Sequence, residues 1–138
     1  MGRGGRARIA AVSAALSLAA CLAGCGGDAS SRESMIKDDL AILNEEADIL
    51  EKIRDQATAE TALPKLQKRV DRALTIKVEM EKMPKASREV MKELDDRYEG
   101  ERMSAMQRLQ TQAVRIQREV GGVAWGKIND TMSKTDGR

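Results

Sequence analysis

The chain has no histidine and no phenylalanine, one tryptophan, one tyrosine, two prolines and two cysteines. Each shortage closes off a class of chemistry. Without histidine there is no Ser-His-Asp triad, and with no histidine and only two cysteines most zinc and haem sites go as well. No stretch alternates apolar and polar residues as a strand does. A glycine-rich phosphate loop following a strand therefore has no place to sit. No catalytic constellation can be assembled, so the chain reads as a non-enzyme.

What remains is a third charged and 41% hydrophobic. Leu, Ile, Val, Met, Ala, Glu, Lys and Arg dominate, which is the composition of long amphipathic helices. The net charge of +2 is unevenly placed. Arg3, Arg6 and Arg8 lie ahead of an apolar run, Ile9 to Leu22, broken only by Ser13 and Ser17. A basic head, a short apolar run and small residues at its end describe an export signal. The run is too short and too alanine-rich for a membrane-spanning helix, which needs roughly 20 strongly apolar residues. Loss of this leader would take three of the 24 basic residues and none of the 22 acids, turning +2 into −1. Nucleic acid then loses its footing as a partner.

The end of the run is more specific. Leu22-Ala23-Gly24-Cys25 resembles the lipobox of bacterial lipoproteins, in which a branched apolar residue and two small residues precede an invariant cysteine. The resemblance implies cleavage before Cys25 and a diacylglycerol on its sulfur. It implies no other cofactor and no free thiol for a disulfide. Leu18-Ala19-Ala20-Cys21 fits the same pattern, which keeps Cys21 as the alternative. Several acyl chains hold a protein firmly on a membrane, at about 0.8 kcal/mol per buried methylene. Gly26, rather than Asp, follows the cysteine. In two-membrane bacteria the resemblance then implies the outer membrane, facing the periplasm. In a single-membrane organism it implies the outer face of the plasma membrane.

The expected organisation is a signal peptide over 1–24, a flexible tether over 25–31, a three-helix body over 32–122 and a C-terminal tail over 123–138, either a short terminal helical turn or loose. Helices are expected at about 32–57, 60–82 and 87–120. Ser30 and Glu33 have capping-box spacing for the first. Ile36, Leu40, Leu43, Ala47 and Leu50 form its seam, widened by Ile42, Ile49 and Ile53. Thr58 or Thr61 is the expected cap of the second, with Pro64 near its first turn. Leu63, Leu66, Val70, Ala73, Leu74, Met80 and Met83 point inward. Pro84 ends it and Ser87 caps the third. Val90, Met91, Leu94, Tyr98, Met106, Leu109, Ala113, Ile116 and Val120 follow a seam whose phase shifts near Gly100. Gly121-Gly122 ends that helix. Short turns make neighbours antiparallel. The predicted fold is all-α, an up-down-up three-helix bundle or a hairpin plus a long third helix. That helix overhangs the hairpin unless the chain folds back, leaving an apolar stripe for a partner or a second copy.

The element Ala62-Leu63-Pro64-Lys65-Leu66 between charged helices is similar to one in small helical bacterial lipoproteins that carry no assigned activity. Murein-linked lipoproteins share the anchor and the helices but end in lysine, whereas this chain ends Asp136-Gly137-Arg138.

Three sets of residues carry the functional expectations. Arg108 and Arg115, with Gln112 between them and Trp125 beyond, make a candidate surface for an envelope partner or for self-association. Arg102 and Arg118 extend the basic row, which otherwise reads as a solvated face. Met80 with Met83, and Met103 with Met106, are Met-x-x-Met pairs whose soft sulfurs suit Cu(I), or else fill a core lacking Phe. Glu45-Glu46, Asp95-Asp96 and Glu99 with Glu101 read as solvated polar faces. The expected function is a lipid-anchored, extracytoplasmic interaction or scaffold module, with a Cu(I) buffer or a structural homo-oligomer as alternatives.

Overall fold

The computed structural model describes the backbone from Ser17 to Thr135 and side chains from Ala29 to Lys134. Among the described residues the chain is an all-α helical bundle without strands: α1 Ser17–Glu51, α2 Gln56–Lys82, α3 Arg88–Glu119 and α4 Gly122–Met132, closed by a 3-10 turn at Ser133–Thr135. The basic leader residues Arg3, Arg6 and Arg8 lie outside the described residues, as do the side chains of Cys21 and Cys25 and the last three residues of the chain.

Two boundaries differ from those expected. α1 is continuous from Ser17 to Glu51, so residues 25–31 are helical and not a tether. No proline interrupts this stretch. Each glycine of Gly26-Gly27 weakens a helix by only about 1 kcal/mol, which propagation from a packed helix tolerates. Ser30 and Glu33 therefore lie inside the helix instead of capping it. Glu33 accepts hydrogen bonds from Tyr98 and from Arg97 of α3, the latter at 3.1 Å.

The second difference is α4, where a tail was expected. Gly121, at φ +115°, adopts a backbone conformation that side chains disfavour, and it reverses the chain. Val123, Ala124, Trp125 and Ile128 then supply an apolar face. Ala124 and Ile128 are buried. The end of α3 does not overhang, because α4 folds back against it.

Local chemistry sets the turns. Lys52 and Ile53 amides tighten onto the Ile49 and Leu50 carbonyls, closing α1. Asp55, not Thr58 or Thr61, is the cap of α2. Its carboxylate accepts from the Thr58 amide at 2.8 Å, while the Thr58 hydroxyl accepts from the Asp55 amide at 3.0 Å. Since α2 begins at Gln56, Pro64 stands inside the helix and beyond its first turn. Ser87 caps α3 as expected, accepting from the Val90 amide at 3.3 Å. α3 runs unbroken through Gly100.

α1 packs against both α2 and α3, and α4 packs against both as well. α2 and α3 do not pack against each other. They occupy opposite corners of a four-cornered bundle, with α1 and α4 at the other two. Direction follows from the ion pairs. Arg69 meets Glu45 at 2.7 Å and Arg72 meets Asp38 at 3.9 Å, so α1 and α2 are antiparallel. Lys127 reaches Glu60 and Lys134 reaches Gln67, so α4 runs alongside α2 in the same sense.

α4 is 11 residues long and α3 is 32, so the fourth corner is filled along only part of its length. The core divides accordingly. In the capped half, Ala47, Leu50, Ile53, Ala59, Ala62, Leu66, Leu109, Ile116, Ala124 and Ile128 form one cluster drawn from all four helices. In the open half, Ile36 and Leu40 of α1 meet only Leu94 and Tyr98 of α3, with Leu43, Met80 and Val90 at the edges. Ala105 takes the buried seam position for which Met106 was expected, and Met106 is left exposed.

Candidate functional site

Where α4 stops, a groove of about 840 Å³ opens between it and α3. Met103 and Met106 of α3 form one wall, with Gln107, Gln110 and Ala113. Trp125 and Met132 of α4 form the other, and Leu50 of α1 lies at its base. Met103 is 64% exposed and Met106 51%, which is unusual for side chains on a well-packed helix. Trp125 and Met132 are partly buried and pack against the capped core. Two thirds or more of this lining is carbon and sulfur, and its polar atoms belong to uncharged amides and a serine hydroxyl. The site suits an apolar surface, and no Asp, Glu, Lys or Arg is among its lining residues.

The basic residues expected to meet a partner are placed otherwise. Arg108 donates to Asn44 at 3.0 Å, Asp48 at 2.8 Å and Glu51 at 2.9 Å, all on α1. Those two carboxylates hold its guanidinium more firmly protonated than usual. Asp48 is thereby paired with α3. Arg115 donates to the Leu50 and Ile53 carbonyls, both at 2.9 Å, and to Gln112 at 2.7 Å. It closes the C-terminal end of α1, whose last carbonyls lack helical partners. Of the four expected contact residues, Trp125 alone lines the groove, and Arg108, Gln112 and Arg115 brace α3 against α1. Arg102 lies 3.9 Å from Asp95, while Arg118 is exposed.

The methionine pairs also separate. Met80 lies in the open half against Ile36 and Leu40, and Met83 follows the last turn of α2. Met103 and Met106 share the groove with Met132, which the sequence placed in a tail. No group of three or more His, Cys, Asp or Glu side chains suited to a metal ion is present among the described residues.

A second concavity, of about 450 Å³, lies between α1 and α2 in the open half. Its α1 side carries Asp39, Leu43 and Glu46, and its α2 side Ala73, Leu74, Ile76 and Met80, with Lys77 and Glu81. The expectation of a solvated Glu46 is corrected here: the residue is only 6% exposed. α1 is covered from two sides, so its buried arc is wide enough to take in position 46 as well as the apolar seam. Burial pushes the Glu46 carboxyl up to about 7, helped by the charge of Asp39 and opposed by Arg69. Burial also raises Asp39, opposed by Arg102. Asp39, Leu43, Glu46 and Leu50 recur at spacings of four, three and four, so one inner face of α1 is legible in the chain. Its two acids disguise it as surface.

No described helix is long and apolar enough to cross a membrane. Compared with known proteins, the chain matches no family model, no curated protein and no solved structure.

Proposed function

We propose that this chain is a lipid-anchored, non-enzymatic interaction module of the bacterial envelope, which docks an apolar helical segment of a partner in the Met103–Trp125 groove. The observation that carries the reading is the groove itself: exposed Met103 and Met106 facing Trp125 and Met132 across an unfilled bundle corner. Methionine is flexible and polarisable, and it recurs where one surface must accept helices of differing shape. A helix laid in an apolar groove is a standard mode of peptide recognition. The anchor is supported by Leu22-Ala23-Gly24-Cys25 and the basic head before it. Cleavage before Cys25 would leave an acylated residue at the start of α1, so the bundle would rise from the membrane on a helix and not on a flexible tether.

Two measurements test this. Mass spectrometry of the membrane-extracted protein should show an acylated Cys25, and Cys25→Ser should release the chain from membranes. An acylated Cys21 would move the anchor, and no acylation would remove it. A photo-crosslinking residue at Gln110, in the native envelope, should capture one recurrent protein, and capture should fall with Met103→Glu. Adducts only to the same chain would make it a structural homo-oligomer. No adducts would remove the docking reading.

A second reading rests on Met132. It joins Met103 and Met106 along one groove, giving three thioethers where the chain alone suggested pairs. Soft sulfur ligands select Cu(I). Titration of the intact chain with Cu(I) against a competing chelator decides it. Affinity weaker than micromolar removes the reading.

A further inference from the structure

The trough between α1 and α2 is separate from the groove and has a different chemistry. Its walls are apolar, yet its α1 side carries two carboxylates, Asp39 and Glu46, one either side of Leu43. Glu46 is more than nine-tenths buried, and what acts on its carboxyl is burial and the charges of Asp39 and Arg69, with no hydrogen bond among these influences. Arg69, the cation whose field reaches it, is held 2.7 Å from Glu45. A buried carboxylate facing an apolar space without a donor is costly, and a structure that keeps one has an acceptor ready for a cation.

We infer that this trough is a binding site for a small lipophilic cation, an organic ammonium whose charge sits between Glu46 and Asp39 and whose hydrocarbon lies on Leu43, Leu74, Ile76 and Met80. Three observations converge. The volume of about 450 Å³ falls in the roughly 300–1,000 Å³ range of small-molecule sites. The buried acid supplies charge selectivity, because an anion would meet two carboxylates with little water between. The trough stays open because α2 and α3 do not meet beside α1 and α4 ends short of it. The raised proton affinity of Glu46 and Asp39 follows from the same burial. A bound cation would favour the ionised form of Glu46. The other charged groups facing this region are Lys77 and Glu81 at the trough, Arg69 on α2 and Arg102 on α3.

The test is calorimetric titration of the intact chain with decyltrimethylammonium and with decyl sulfate, each below its micelle concentration. At pH 8 the cation is expected to bind at least tenfold more tightly than the anion of equal chain length. Glu46→Gln should lose most of that preference, and Asp39→Asn part of it. Neither should lower the melting temperature, so a folding failure is distinguishable. Affinity for the cation should weaken severalfold between pH 8 and pH 5.5 in the native chain, but not in Glu46→Gln. Met103→Glu, in the other groove, should leave it unchanged. Equal binding of the two amphiphiles, or cation binding that survives Glu46→Gln undiminished, would overturn the site. Either result leaves the docking groove untouched.

Discussion

The two halves of the bundle use the same helices to different ends. In the capped half, α1, α2 and α3 are joined by α4, and nine buried residues from four helices share one cluster with Ile53 of the α1–α2 turn. In the open half the fourth corner is vacant, α2 and α3 stay apart, and the buried cluster shrinks to four residues from two helices. A closed apolar interior supplies stability and leaves nothing for a ligand. An unfinished interior gives up stability and exposes concave surface. The groove lies where α4 ends against α3, on the flank of the capped core, and the trough lies between α1 and α2 in the open half.

The sharpest way to break the contrast is to make the same cavity in each half. Ile116 is fully buried among all four helices. Ile116→Ala is expected to cost about 3–5 kcal/mol, since buried large-to-small changes leave a cavity the neighbours do not fill. Leu94→Ala, in the smaller cluster, is expected to cost about 2–3 kcal/mol because the open side can relax. Urea unfolding of both variants checks the ordering, and equal losses would mean that the halves are equally packed.

A second test removes what creates the capped half. Gly121 takes φ +115° and ψ 160°, a combination available almost only to glycine. Nothing lies within 4 Å of where its β-carbon would be, so the penalty for alanine there is backbone strain and not crowding. Gly121→Ala is expected to destabilise by about 1–3 kcal/mol. It should also shift the emission of the single tryptophan, Trp125, to the red as α4 loosens. Gly122→Ala serves as control, because Gly122 is helical and equally uncrowded. It should be neutral or slightly stabilising.

Two acids of the open half answer pH in opposite senses. Glu46 has a folded pKa raised to about 7 by burial, above its ordinary value of 4.5. The folded state therefore binds this proton more tightly than the unfolded state, and stability falls as pH rises from about 4.5 through 7. The chain should be more stable at pH 5.5 than at pH 8, by about 2 kcal/mol at a conversion of roughly 1.4 kcal/mol per pKa unit. Glu46→Gln should flatten that slope. Glu33 behaves in reverse. The Tyr98 hydroxyl and Lys37 hold its carboxylate at about 2, so its contribution is present above its ordinary value and is lost as pH falls from about 4.5 through 2. Melting curves between pH 3 and 8 should show a maximum. A monotonic rise with pH would refute the buried state of Glu46.

Much of the buried core was legible in the chain, in both halves. Spacings of three and four named Ile36, Leu40, Ala47, Leu50, Leu66, Val70, Leu94, Tyr98, Leu109 and Ile116, and all are buried. Small residues were the blind spot. Ala59, Ala62, Ala105 and Ala124 are buried because helices approach closely there, and alanine carries little hydropathy to mark the position. α4 was expected as no more than a short terminal helical turn or a loose tail because Gly121-Gly122 reads as a stop, although a stop and a reversal begin with the same residue. The sites were harder still. Arg108 and Arg115 have the spacing of a basic stripe, and only the path of α1 shows that carbonyls and carboxylates already occupy them. Glu46 looked solvated because charge is the strongest cue to surface in a single sequence, and a buried acid defeats that cue.

Arginine bracing gives an intermediate effect. The Arg115 side chain is 18% exposed and holds two backbone carbonyls. Arg115→Ala should cost about 2 kcal/mol, in the range for hydrogen bonds from a charged donor. Arg115→Lys should recover less than half, because one ammonium cannot span both carbonyls as the planar fork does. Full recovery with lysine would reduce the role of Arg115 to charge alone.

The smallest effects lie at the two interhelical turns, and they too should divide by half. The α1–α2 turn belongs to the capped half. There Asp55 and Thr58 satisfy each other's amides, and the Asp55 carboxylate is held below its ordinary range chiefly by the Thr58 amide. Asp55→Ala removes a charged cap at an exposed site without disturbing the core, and about 1 kcal/mol is the usual loss. The α2–α3 turn belongs to the open half. Ser87 offers one hydrogen bond at 3.3 Å, from a neutral hydroxyl at the long end of the range, with no reciprocal partner shown. Ser87→Ala should therefore cost only about 0.5 kcal/mol, at the low end for caps. Denaturant midpoints measured side by side decide it. A Ser87 loss equal to that of Asp55 would show that the open half is held at its turn more firmly than its sparse core implies.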